Sequence, residues 1–293
     1  ILFIERYLFR KAMTKPILCI YHNNCADGFG AAWVVRKALG EDQVEFYPGI
    51  YQTLPPDTAG RDVVIVDFSY KWVELMKMGL SAKSILVIDH HKSAAEDLRN
   101  ISQDAAEGDY CSINAKFSMD HSGAILTWKH YFPDQEPPVL LKHIEDRDLW
   151  RFALPGTREI QANLFSHPYD FNVWDELMQT DMKTLIADGK AIERKHFKDI
   201  DELLAVTQRR MVIGGHDVPV ANLPYTLVSD AGHKMAQGEA FAACYWDTPD
   251  RRCFGLRSTP EGLDVSEIAK QYGGGGHRNA AGFQVPYGHE LAR

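Results

Sequence analysis

The chain has 293 residues, 45% of them hydrophobic and 25% charged, which suits a globular protein with a large core and most naturally two domains. No apolar run approaches the length of a bilayer span, so no membrane segment is expected. The formal net charge of −8 argues against sequence-independent binding of long duplex nucleic acid, and leaves a small anionic substrate held by cations and a few arginines.

Residues 1–12 carry charges on both sides of a short apolar run and no evident cleavage site. They are expected to be an extension rather than a signal peptide, ahead of a natural-looking start at Met13. The five cysteines, Cys19, Cys25, Cys111, Cys244 and Cys253, include no C-x-x-C pair. Neither a disulfide framework nor a zinc ribbon is predicted, and a reducing cytoplasm is the expected location.

Ile17 to Tyr21 read as a first strand, and Gly28 to Leu39 as a helix that Gly40 ends. His22 and Asp27 therefore fall in a strand-to-helix turn, where Asp27 is equally suited to capping the helix and His22 to an ordinary turn role. Val44 to Tyr47 form a second candidate strand, and Pro55-Pro56 mark a loop. Val63-Val64-Ile65-Val66 then run directly into Asp67, a helix is predicted over 70–78, and Ile85-Leu86-Val87-Ile88 run into Asp89-His90-His91. Such a repeated strand, acid, helix unit builds a parallel sheet, and ligands of an open parallel sheet sit at its carboxyl edge. His22, Asp27, Asp67, Asp89, His90 and His91 all converge there. Carboxylates and imidazoles suit a divalent metal, and like charges so crowded repel unless a cation lies between them. Lys92 and Ser93, next in sequence, are suited to an anion.

Residues 101–121 are polar and carry no assignable element. Ser122 is placed to cap a helix from Gly123 to Phe132, closed by Pro133, and a further helix from Val139 delivers Asp146-Arg147-Asp148-Leu149-Trp150. One of these aspartates is a candidate last ligand; both also fit a surface salt-bridge patch. Residues 170–210 read as largely helical, becoming a charge-rich connector from Met182. Strands are predicted over 218–222, 241–246 and 253–257, with helices over 230–237 and 266–272. The chain then reaches Gly273-Gly274-Gly275-Gly276-His277-Arg278-Asn279-Ala280-Ala281-Gly282-Phe283. This is either a flexible turn or a loop whose amides approach a ligand, with His277, Arg278 and Arg257 placed to meet phosphate. Tyr272 and Phe283 beside it either stack on a base or belong to the core.

Together, Asp89-His90-His91 and the glycine-rich stretch resemble the DHH phosphoesterase superfamily with its associated C-terminal domain, over nearly the whole chain from residue 17. The resemblance implies an α/β protein. A parallel-sheet DHH domain with helices on both faces (13–180) would follow the extension 1–12. A helical connector (181–210) and a smaller C-terminal α/β substrate-binding domain (211–293) would come next, with the active-site cleft between the domains. It also implies two metal sites, usually manganese, with magnesium or cobalt as substitutes. Asp67 would bridge them, Asp27, His90 and Asp148 (or Asp146) would complete one, and His22 would hold the other. His91 would contact the scissile phosphate, Asp89 would orient a histidine, and Arg257, Gly275, Gly276, His277 and Arg278 would bind substrate. In one respect the chain departs from the superfamily, whose first motif commonly has two aspartates separated by one residue. Here Asp27 follows Asn24-Cys25-Ala26, so the first carboxylate is missing. Cys25 or Asn24 would replace it, or Cys25 simply fills the turn.

The implied activity is a manganese-dependent phosphodiesterase, nanoRNase-like, acting on short RNA oligomers or small linear or cyclic nucleotides. The alternatives are an exopolyphosphatase or pyrophosphatase, and a nucleotide-binding module with weakened catalysis. The expected partner is a small nucleotide or short oligonucleotide, with neither long duplex nucleic acid nor membrane.

Overall fold

The computed structural model describes residues 15–292; the extension 1–12 and the Met13 start lie outside the described residues. It divides into two compact units. The first holds the described residues up to His90 together with Asp97–Ala187, and the second holds His91–Glu96 and the chain from Asp188 onward.

The first unit opens with β1 (Ile17–His22), α1 (Ala26–Leu39), β2 (Val44–Gly49), β3 (Asp62–Val66), α2 (Trp72–Gly79) and β4 (Ser84–Asp89). After α3 (Lys92–Asp97), which lies mostly in the second unit, come α4 (Ile101–Ala106), β5 (Ser112–Phe117), α5 (Gly123–Tyr131), α6 (Val139–Asp148), α7 (Thr157–Leu164) and α8 (Phe171–Gln179). The long α9 (Met182–Thr207) begins in the first unit and continues into the second, the division falling after Ala187.

Among the described residues of this unit, five strands form one wholly parallel sheet in the order β2-β1-β3-β4-β5. Parallel strands are joined by crossovers that cover both faces, which is why β1, β3 and β4 read as continuous apolar runs. Cys19, Val64, Val66 and Ile88 pack on one face against Phe29 and Trp33 of α1, Ile125 and Trp128 of α5, and Leu141 and Ile144 of α6. Leu18, Ile20, Ile65, Ile85 and Val87 pack on the other against Leu75 and Met78 of α2 and Ile101 of α4. The stretch without a sequence assignment holds α4 and β5. β5 is an edge strand whose inward residues Ile113, Ala115 and Phe117 alternate with Ser112, Asn114 and Lys116, too thin an apolar pattern to stand out.

Strand order sets where a ligand can enter. β1 has β2 on one side and β3 on the other, so the chain leaves their carboxyl ends in opposite directions and opens a crevice at that reversal. His22 ends β1, Asp67 follows β3 and Asp89 ends β4.

The second unit continues with β6 (Arg209–Ile213), β7 (His216–Asn222), α10 (Val228–Met235), β8 (Ala242–Asp247), β9 (Arg251–Arg257), α11 (Val265–Lys270), β10 (Gly275–His277) and β11 (Ala280–Pro286). Among its described residues, six strands form a mixed sheet in the order β10-β11-β9-β8-β7-β6, parallel between β7 and β8 and antiparallel elsewhere. The glycine-rich stretch is the β10–β11 hairpin rather than a loose turn. Tyr272 and Phe283 stack at 4.4 Å inside the core, and the Tyr272 hydroxyl accepts the Gly214 amide. Their role is packing, which removes them as base platforms. No described helix is long and apolar enough to cross a membrane.

Candidate metal centre

Five of the expected metal ligands come from four different segments of the first unit and meet at the crevice. Asp67 stands immediately after β3 with φ of 51°, a left-handed conformation that aspartate tolerates better than most residues. Its two oxygens face different partners. Oδ1 is 3.0 Å from His90 Nε2, and Oδ2 is 3.4 Å from His22 Nδ1. His90 Nε2 lies 3.5 Å from Asp148 Oδ2 and 3.8 Å from Asp27 Oδ2. Of the donor groups among the described residues, one is Asp27, His90 and Asp148 and another is His22, Cys25 and Asp67, each with its ligand atoms within 4.8 Å of one another. Asp67 touches both. Asp27, Asp67 and His90 are about as buried as core leucines, at 1% exposure each.

Asp27 sits inside the first turn of α1 and does not cap it. Its carboxylate reaches across to the start of α5, where Oδ2 accepts the Gly123 amide and Oδ1 the Ala124 amide at 3.1 Å. A helix N-terminus presents such unpaired donors and a positive dipole end, so it holds Asp27 in one orientation. Gly123 also lets α5 approach Asp67: a Cβ there would lie 2.5 Å from the Asp67 Cβ and 2.8 Å from its Cα. The Asp89 Oδ1 accepts the backbone amide of His90 at 2.7 Å, tightening the turn that aims His90 inward.

The two aspartates at the end of α6 divide their work. Asp146 accepts the amides of Ala153 and Leu154 at 2.8 and 3.0 Å and the Thr157 hydroxyl at 2.6 Å, which fastens the turn leading into α7. Burial alone would raise its pKa, but these donors outweigh it and hold the carboxyl below its ordinary range. Asp146 is thus engaged by its own turn, and Asp148 is the aspartate grouped with Asp27 and His90.

The pocket carries excess negative charge. Burial raises the Asp27 carboxyl well above its usual range, and Asp67 and Asp148 add to the rise. Burial would lower His90, yet its bond to Asp67 and the charges of Asp148, Asp67 and Asp27 together raise it well above the usual imidazole range. Burial would raise Asp67, but the two histidines hold it well below. Burial, then Asp67, Asp148 and Asp27, push up the Cys25 thiol. Every shift but that of Asp67 favours an added proton, and a cation in the same place would reverse that preference. This donor set fits a divalent metal. The Tyr51 ring stands edge-on to His22 with centroids 5.3 Å apart, a neighbour with no signal in the sequence because it comes from an irregular loop.

In the second unit the His91 ring stacks on His277 at 4.5 Å and 23°. Lys92 and Ser93 are engaged within that unit, Lys92 with Asp264 at 2.6 Å and Ser93 Oγ with the Gly276 amide at 3.0 Å, which accounts for both without an anion. Arg257 donates to Leu256 O and Ser229 Oγ, and Arg278 donates to Gly262 O.

No protein-family profile matches the chain. Over 304 residues it is 30% identical to uncharacterized protein R106 of Acanthamoeba polyphaga mimivirus, covering 94% of this chain and 68% of that protein. The chain belongs to the same family as R106. Among solved structures it is similar to an exopolyphosphatase-related protein of Bacteroides fragilis, at 13% identity and TM-score 0.52, over 99% of this chain and 92% of that one. It is also similar to RecJ of Thermus thermophilus in complex with Mn2+, at 14% identity and TM-score 0.51, over 96% of this chain and 51% of that one. At such identities the likeness is one of fold. The Asp89-His90-His91 triplet stands at the end of β4, with Asp89 and His90 in the first unit and His91 opening the segment that belongs to the second.

Proposed function

We propose that the chain is a metal-dependent phosphodiesterase that hydrolyses short RNA oligonucleotides or small linear or cyclic nucleotides. The observation that carries this reading is Asp67, whose two oxygens face two donor groups from the crevice between β1 and β3. His22, Asp27, Asp67, His90 and Asp148 would hold the metal. Manganese is favoured by the oxygen and nitrogen donors, and by the Mn2+ of the RecJ structure that shares this fold. A divalent cation bound there supplies Lewis acidity toward a phosphoryl oxygen and activates water at neutral pH.

The remaining work falls to the chain itself. Asp27, fixed by the α5 amides, and Asp148, placed by the Asp146 turn, keep their carboxylates aimed at His90 without rearrangement. His91, His277 and Arg278, all in the second unit, carry imidazole and guanidinium N–H groups of the kind that bind phosphoryl oxygens. The acidic balance of the chain favours a short substrate over a long strand.

The test is a time course with metal-stripped protein and added manganese, offered an RNA dinucleotide, a long RNA, a cyclic dinucleotide and polyphosphate in parallel. Mononucleotide release from a dinucleotide with the long RNA nearly untouched is the expected result. Phosphate released from polyphosphate alone would overturn it in favour of a polyphosphatase. The Asp67→Asn variant keeps an acceptable residue at the left-handed position and should lose about 100-fold or more in rate.

A further inference from the structure

We propose that Cys25 contributes a thiolate ligand to the cation beside His22 and Asp67, so that this position prefers a borderline or soft ion such as cobalt, iron(II) or zinc over magnesium. The proposal deepens the metal-dependent reading above and rests on it.

Several observations place sulfur there. Cys25 Sγ lies within 4.8 Å of a ring nitrogen of His22 and a carboxylate oxygen of Asp67. Cys25 is the N-cap residue of α1, with extended backbone angles of −126° and 131°, which sets its side chain at the turn between His22 and Asp27. The acid two residues later is committed elsewhere, since Asp27 is held by the α5 amides and grouped with His90 and Asp148. Of the neighbouring asparagines, Asn23 turns its Oδ1 back to the Asn24 amide, and Asn24 is exposed. Cys19, Cys244 and Cys253 are buried in the cores, so among the described residues Cys25 is the cysteine that stands in a ligand group.

A nitrogen, an oxygen and a sulfur on three separate atoms within one ion's reach form a mixed set, and a thiolate shifts such a set away from magnesium toward softer metals. On binding, the S–H bond gives its proton to solvent and the sulfur lone pair goes to the cation. One negative charge is thereby kept at a place where the DHH resemblance would put a carboxylate.

Cobalt reports this bond directly. The full chain, metal-stripped and kept reduced without added thiol, would be titrated with Co2+ and its near-ultraviolet absorption followed. A thiolate-to-cobalt charge-transfer band should appear in the parent protein and in Cys111→Ser, and be absent in Cys25→Ser. In Cys25→Asp the preference for cobalt over manganese, read by calorimetry, should fall about tenfold or more. No band despite bound cobalt, a band that survives in Cys25→Ser, or an unchanged preference in Cys25→Asp would each overturn the proposal. Hydrolysis is scored separately. Turnover with manganese but no band would sink the thiolate and leave the phosphodiesterase reading, whereas a band without turnover of any offered substrate would do the reverse.

Discussion

The pair Asp146 and Asp148 shows how two identical side chains, two positions apart, are given opposite tasks. Asp146 accepts three donors from the following turn, while Asp148 stands 3.5 Å from His90 in a pocket already crowded with carboxylates. Asp146→Ala should therefore lower the stability of the metal-free protein by about 3 kcal/mol, since it strips a buried turn of its acceptor. Asp148→Ala should cost that stability less, because repulsion of Asp27 is relieved as attraction to His90 is lost, while metal affinity falls about tenfold or more. Thermal unfolding without metal, set beside calorimetric titration with manganese, separates the two; equal losses of stability would contradict the assignment. Much of this chemistry is legible in the sequence, because an apolar strand that runs straight into Asp67 or Asp89-His90 places those residues at the carboxyl edge. Which of Asp146 and Asp148 faces inward is not legible. It is decided by amides of residues 153 and 154, and nothing in the residue types marks them as partners.

At the scale of elements, strand ends deliver Asp67 and His90, and the start of a helix then fixes their neighbour Asp27. The start of α5 grips Asp27 through two amides and passes close to Asp67, with no room for a methyl group at Gly123. Gly123→Ala would press on the Asp67 backbone as well as its carboxylate, so calorimetry should show manganese affinity down about tenfold or more with the secondary structure intact. Unaltered affinity would mean that α5 does not set the position of Asp67. The β10–β11 hairpin depends on Gly276, whose φ of 142° and whose approach to the Ala280 carbonyl leave no place for a Cβ. Gly276→Ala should cost about 2 kcal/mol in thermal unfolding through strain and a disturbed ladder. Parallel strands with both faces covered were readable as apolar runs. The hairpin was not, because four glycines give no alternation. β5 was not, because an edge strand needs only three inward residues.

Across the whole molecule, the buried charge of the first unit links stability to pH. His90 has a raised folded pKa, so its contribution is fully present below about 6.5 and is lost as pH rises through the raised value. Asp27 is raised as well, and from about pH 3.9 upward the folded chain holds a proton that the unfolded chain has released, so it too loses stability with rising pH. Asp67 is lowered and opposes them only in acid, where its contribution is lost as pH falls below about 3.9. A bound cation replaces those protons. The gain in Tm on adding manganese should therefore grow as pH is raised from about 6.5, and a chelator should abolish it. Thermal unfolding with and without metal across that range checks this, and a gain indifferent to pH would rule it out. The architecture also bears on how the gene can be dissected. The second unit includes His91–Glu96, whose Lys92, Ser93 and Glu96 engage Asp264, Gly276 and Lys270 nearly two hundred residues later in the chain. A fragment beginning at residue 188 would leave those three positions without the partners they have in the full chain. An N-terminal fragment would keep the short helix but lose what it packs on. No single cut in the reading frame yields both units whole.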